Sequence, residues 1–346
     1  MKKLALSNPS YRYLETSFKE WLDVQGYAPS TVYTLPLHIR ELLHYLEANE
    51  IKHIKELEIN HIKHYYEKLK ERSNQNRGGG LSSGHLNKHI QALRKFTDYL
   101  RKVGRITLPV LKLTNEEAVQ QVTYLTEEEI KKLFEATHLP NERTYNTYYK
   151  ALQSRDRAML AVFYGCGLRR NEGVQLDISD INFDRSMLHV RKGKNYKERL
   201  VPISKASLKH LQEYVYDYRP QLSQSKLEAV FLSQRGFRIS GQSLLLRLKS
   251  LQLLSGNLEL QSKEIGLHTL RHSIATHLLT AGMKMESISR FLGHSSLEST
   301  QIYTHVIAEA SGEGDFSNQS QKYPNIPIYW LFRSDYASDF GVTMPL

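Results

Sequence analysis

The sequence holds a single cysteine, Cys166, so no disulfide can close within the chain and no thiolate cluster can hold a metal. That cysteine sits in the apolar run AMLAVFYGCGL and reads as packing. No uninterrupted apolar stretch approaches the roughly 18 residues of a membrane span. The opening MKKLALSNPSYRY carries two lysines but too short an apolar segment for a secretory signal core. Together these absences predict a cytoplasmic protein with no membrane partner. Acidic residues are also short in number, 36 against 47 Lys and Arg, which leaves a formal charge of +11 and points to a polyanionic partner. At 346 residues the chain is long enough for two cores.

The first hundred residues read as short helices. Tyr11, Leu14, Phe18, Trp21 and Leu22 recur at helical spacing and stop at Gly26. Ser30 is the expected N-cap of a stripe of Val32, Leu35, Ile39, Leu42, Leu43 and Leu46, which Pro36 should kink. A third helix fits Asn60 to about Leu69, and NQNRGGGLSSG breaks the chain before a fourth. The fourth, LNKHIQALRKFTDYLRKVGR, places Leu86, Ile90, Leu93, Leu100 and Val103 on one face. Its remaining surface is basic: Lys88, Arg94, Lys95, Arg101, Lys102, Arg105 and Lys112 stand against Asp98 alone. A merely solvated face usually mixes both signs, so Lys88, Arg94, Lys95, Arg101 and Lys102 are candidate phosphate contacts.

KLTNEEAVQQVTY lacks a stripe and reads as a linker, after which Thr126 and Glu129 form a capping box at the head of a new helix. The expected organisation is a helical domain over 1–113, a linker over 114–124, a second domain over 125–308 and a tail over 309–346. In the second half, helices flank strand-like INFDRSMLHVRKGK and KERLVPIS, an α+β layout with a small antiparallel sheet. No internal repeat is present. The tail, rich in Ser, Asn and Pro, reads as disordered or loosely attached, with IPIYWLF as an alternative docking segment.

Four short stretches carry candidate chemistry. GCGLRRNEG sets Arg169 after a helix and a glycine bend; RKGKNYKERLVP puts Lys194 in a hairpin turn. HTLRHS places His268 and Arg271 on one helical face, and GHSSLESTQIYTHV contains His294 and Tyr303, one of 21 tyrosines. Each alone is a weak signal. Taken together, GLRRNE, GKNYKERLVP, HTLRHSIATHLLTAG and LGHSSLESTQIYTHV resemble the tyrosine recombinase or phage integrase family, in particular its two-domain Xer-type members, over roughly residues 10 to 308.

That resemblance implies an all-α, SAM-like N-terminal domain and a mainly helical catalytic domain, arranged as a clamp on double-stranded DNA. It implies that Arg169 and Arg271 bind the scissile phosphate, Lys194 and His268 move protons, His294 supports the phosphate and Tyr303 is the nucleophile. It also implies a homo-oligomer, two protomers per site and four per synapse, or pairing with a related recombinase.

The residue types suit such chemistry. A tyrosine titrates near 10, so forming the phenolate at pH 7 costs about 4 kcal/mol, and arginine forks favour charge developing on a phosphate. No cofactor is called for: the arginines supply positive charge, and no cluster of histidines and carboxylates has convincing ligand spacing. His268, His272 and His277 invite a zinc reading, but His277 falls off the shared face. Two departures from the family pattern stand behind Arg169, Arg170–Asn171 and Gly173. Two rival readings remain at this point, a type IB topoisomerase-like relaxing enzyme and a catalytically silent DNA-binding protein.

Overall fold

A computed structural model of the chain describes residues 4–74, 78–117, 122–138, 146–191, 198–223 and 227–294, together with 300 and 303. The chain divides into two compact units, residues 1–120 and 121–346. Lys194 and the tail from 309 onward lie outside the described residues.

Among its described residues the first unit holds four α-helices: α1 (Pro9–Val24), α2 (Pro29–Ala48), α3 (Ile59–Glu71) and α4 (Ser83–Lys102). Asn8 caps α1 by accepting from the Ser10 N–H at 2.9 Å, and Gly26 takes φ +73° just beyond its end. The expected Ser30 cap is corrected: the capping position is Ala28, because Pro29, with its φ preset, occupies the first turn. The helix also continues through Pro36 as a single element. Ser82 caps α4, accepting from the His85 N–H at 3.3 Å. The apolar stripes meet in one core of Phe18, Ile39, Leu42, Leu43, Ile62, Ile90 and Phe96. Phe18 meets Phe96 edge-on at 5.3 Å, the favourable arrangement for two aromatic quadrupoles.

The second unit opens with α5 (Glu127–Ala136). Its capping box is complete: Thr126 N–H donates to Glu129 at 2.8 Å and Glu129 N–H to the Thr126 hydroxyl at 3.2 Å. Then come α6 (Thr147–Leu160), a π-helical turn over Ala161–Gly165, and α7 (Arg170–Gln175). A three-stranded antiparallel sheet follows, β1 (Ile181–Asn182), β2 (Met187–Val190) and β3 (Arg199–Pro202), in the order β1-β2-β3. Leu188 pairs with Val201, and both are buried while His189 and Leu200 face outward, the period-two alternation of a one-sided sheet. The remaining helices are α8 (Lys205–Gln212), α9 (Arg219–Leu222), α10 (Gly241–Leu254), α11 (Leu258–Ser262), α12 (Leu267–Thr280) and α13 (Met285–Leu292). Their core gathers Phe163, Leu168, Tyr214, Phe231, Leu270, Ile274 and Leu292. Cys166 is wholly buried in it, and desolvation pushes its thiol up to about 12.

Candidate active site

The site begins where α6 ends. The π-helical turn and the positive φ of Gly167 (+59°) swing the chain so that Arg169 heads α7. Gly167 is required twice over, since a Cβ there would also sit 2.8 Å from Leu292. At the other side, α13 terminates on Gly293 in the left-handed region (φ +66°), where a Cβ would lie 2.9 Å from Arg199.

Two arginines converge on the carbonyl end of α13. Arg271, on α12, donates to the Gly167 carbonyl at 2.6 Å and the Leu292 carbonyl at 2.7 Å. Arg169 donates to Leu292 at 3.4 Å and to Gly293 at 3.0 Å. Both guanidiniums therefore reach one carbonyl oxygen, although 102 positions separate the residues in sequence. The carbonyl dipoles at a helix C-terminus offset part of their repulsion. Burial, and then the charge of Arg169, still lowers Arg271 to about 9.

Glu172 ties Arg169 to Arg199. Its carboxylate accepts from the Arg169 N–H at 2.9 Å and the Arg169 guanidinium at 3.0 Å. It also accepts both ends of the Arg199 fork, at 3.0 and 2.9 Å. Arg199, at the start of β3, donates in turn to the Phe291 carbonyl at 3.0 Å. Sequence reasoning passed over Arg199, and no local spacing marks it, because its partners lie on α7 and α13. Gly173 also finds its reason here: a Cβ would sit 2.4 Å from the Phe163 ring, so the small residue makes room for the aromatic one beneath α7.

The phenol is the other half of the site. Tyr303 is buried, and its hydroxyl lies 2.9 Å from Nδ1 of His272. His272 lies one turn beyond His268 on the same face of α12 and makes this contact. His268 keeps an exposed edge, while partial desolvation and then Arg271, Arg170 and Arg169 lower its pKa. His272 is lowered to about 4 by burial, then by His268 and Arg271. His294 stacks over the Tyr303 ring at 6.4 Å, bonds Thr300 at 2.7 Å, and is lowered to about 3 by burial, then by Arg271 and Arg169. Tyr303 itself is raised by desolvation, against the opposing pull of Arg271 and Arg169. His277 instead bonds the Tyr164 hydroxyl at 2.9 Å, away from this group.

The basic candidates of the first unit share one stripe of α4. Lys88 and Lys102 are exposed, and Arg94, Lys95 and Arg101 half-buried. Lys88, Arg94 and Lys95 line a shallow cavity of about 390 Å³ with Gly84, Asn87, Gln91 and Asn115. Several are also tied to the protein: Arg94 to the Leu113 carbonyl, Arg101 to Asp98, Lys95 over Tyr27 and Lys102 over Trp21.

The buried Arg271 and half-buried Arg169 thus lie within electrostatic reach of a phenol that is hydrogen-bonded to His272. Residues 123–310 match the phage integrase family. The tyrosine recombinase XerD of Staphylococcus epidermidis is 30% identical over 300 residues, which span 85% of this chain and 95% of that protein. XerD of Proteus mirabilis is 36% identical over 223 residues, 64% of this chain and 67% of its own. Among solved structures, the XerH site-specific recombinase bound to a palindromic difH substrate superposes with a TM-score of 0.62 at 20% identity, covering 87% of this chain and 84% of that one. A lambda integrase dimer bound to a core site gives 0.62 at 14% identity, over 91% and 98%. At those identities the structural likeness is one of fold. The chain belongs to the phage integrase family.

Proposed function

We propose that this protein is a site-specific DNA recombinase that breaks and rejoins duplex DNA through a covalent 3′-phosphotyrosine. The convergence of Arg169 and Arg271 on the Leu292 carbonyl, in a unit where the Tyr303 hydroxyl is held 2.9 Å from His272, is the observation that carries the reading. A phosphodiester bound to the two guanidiniums offers its phosphorus to the Tyr303 oxygen. The new O–P bond forms as the bond to the 5′-oxygen breaks, and the phenol proton passes to His272. The phosphate's negative charge cancels the arginine contribution that depresses His272 in the free protein, leaving burial as the chief opposing effect. Lys194 is assigned, on the family pattern alone, as the acid that protonates the departing 5′-oxygen. The phosphotyrosine keeps the energy of the broken bond, so a 5′-hydroxyl of a partner strand can reverse the step without ATP.

The N-terminal unit is assigned as the core-binding domain, with the α4 stripe of Lys88, Arg94, Lys95, Arg101 and Lys102 against the DNA backbone. Two protomers on each site and four in the synapse complete the reading. A nicked suicide substrate tests it: wild-type protein should become covalently attached to DNA on a denaturing gel, and Tyr303→Phe should not. No adduct from the wild type refutes the enzyme, and an adduct from Tyr303→Phe refutes the nucleophile.

A further inference from the structure

The first unit contains a cluster that the proposed reaction does not use. His38 and Glu41 stand at i and i+3 on α2, and His85 and His89 at i and i+4 on α4, so each helix turns two potential ligands toward the other. His38 Nδ1 lies 3.1 Å from His89 Nε2, and His89 Nε2 lies 3.3 Å from His85 Nε2. The three ring nitrogens all fall within 4.8 Å of one another, and among the described residues no other such group of three occurs. Glu41 Oε2 approaches His89 Nε2 to 3.9 Å. The spacing search in the sequence missed this set because 51 positions separate His38 from His89.

We infer that His38, His85 and His89 form a zinc site that ties α2 to α4, with Glu41 as the adjoining carboxylate. Four ligands placed tetrahedrally at zinc–nitrogen distances of about 2.0–2.1 Å are separated from one another by about 3.3–3.4 Å. The two short contacts in the cluster already match that separation. Without a metal, accepting from both neighbours asks the single lone pair of His89 Nε2 to serve two donors and puts its proton on Nδ1, 3.3 Å from the Tyr65 hydroxyl. That is also the tautomer of a histidine that ligates through Nε2 while its outer nitrogen is held by a second partner. His85 is the half-buried member and leaves the cluster open to solvent on its side. Glu41 Oε2 is also paired with Arg72 at 3.0 Å, so zinc taking that oxygen competes with the guanidinium.

The test uses the full-length protein, stripped with chelator and titrated with Zn2+ by calorimetry. One equivalent should bind with a Kd below about 1 µM and raise the melting temperature. His85→Gln should weaken that binding at least tenfold, whereas His268→Gln/His272→Gln should bind as the wild type does, which separates this cluster from the catalytic histidines. X-ray absorption of the wild-type zinc form should count three imidazoles, a reading that does not depend on how any variant folds. Wild-type affinity in His85→Gln, no stoichiometric uptake by the wild type, or fewer than two imidazoles in the absorption spectrum overturns the assignment.

Discussion

Replacing Glu172 by glutamine keeps the shape of the residue that registers the arginines and removes its charge. Burial by itself raises the Glu172 carboxyl, but its bonds and charge pairing with Arg199, and then Arg169, outweigh that and bring it from 4.5 to about 2. A difference of that size favours the ionised, folded state by about 3 kcal/mol. Removing one partner of a buried ion pair leads to the same order, about 3–5 kcal/mol, because Arg199 keeps its charge and loses the carboxylate. The folded value lies below the unfolded one, so the contribution is complete above pH 4.5 and drains as the pH falls toward about 2. At pH 3 about half should remain. At about 2–4 °C per kcal/mol for a domain of this size, Glu172→Gln should melt about 6–12 °C below wild type at pH 7 and by about half that margin at pH 3. Calorimetric or fluorescence melts at the two pH values measure it. A variant within 1 °C of wild type at pH 7, or a gap that does not narrow in acid, refutes the role assigned to this carboxylate; the 1 °C criterion lies well below the roughly 6 °C expected.

His272→Ala should slow covalent adduct formation by about 10²–10⁴, the usual worth of a positioned proton acceptor, and by more than His268→Ala does; the reverse order returns that role to His268. Glutamine at Lys88, Lys95 and Lys102 should weaken DNA binding across sequences and flatten the dependence of log K on log salt by roughly one per lost phosphate contact; wild-type slopes would assign the α4 stripe to solvent. Gly173→Ala should destabilise the second unit by about 1–3 kcal/mol by overpacking the Phe163 ring, and Phe163→Leu in the same chain should restore part of it; an unchanged melting temperature in Gly173→Ala removes that account of the glycine.

Much of the fold was legible because its signals are local. The Thr126–Glu129 box and the strand-like stretches that form β2 and β3 depend on residues within a few positions of one another. The start of α2 was misread because two adjacent signals competed, and proline in the first turn prevailed over a serine one residue later. In the site, Arg169, Arg271 and Tyr303 were reached through family motifs, not through any physical property of the residues themselves. Arg199, the His272 contact and the histidine cluster were not reached at all. Arg199 meets partners 27 and 92 positions away, and the histidines meet across 51. Such pairings are set by how helices stack, which leaves no periodic trace in the chain.

The arrangement of charge accounts for why a pocket this crowded is worth building. Arg169 and Arg199 both bond Glu172, and Arg271 joins Arg169 at the Leu292 carbonyl, so these four groups carry a net charge of +2 while Arg271 remains protonated. Its lowered pKa, about 9, measures the repulsion and desolvation that the free protein tolerates there. A bound phosphodiester brings a single negative charge and balances half of that excess. In the proposed reaction a second negative charge develops on the phosphoryl oxygens while the Tyr303 proton moves to His272, so the growing charge lies against the arginines that still carry the excess. On that reading the excess positive charge favours the displacement over the intact DNA backbone, which is the condition for an interaction to raise the rate instead of merely tightening binding. Glu172 contributes by holding the count at two: it orients two arginines while cancelling only one charge.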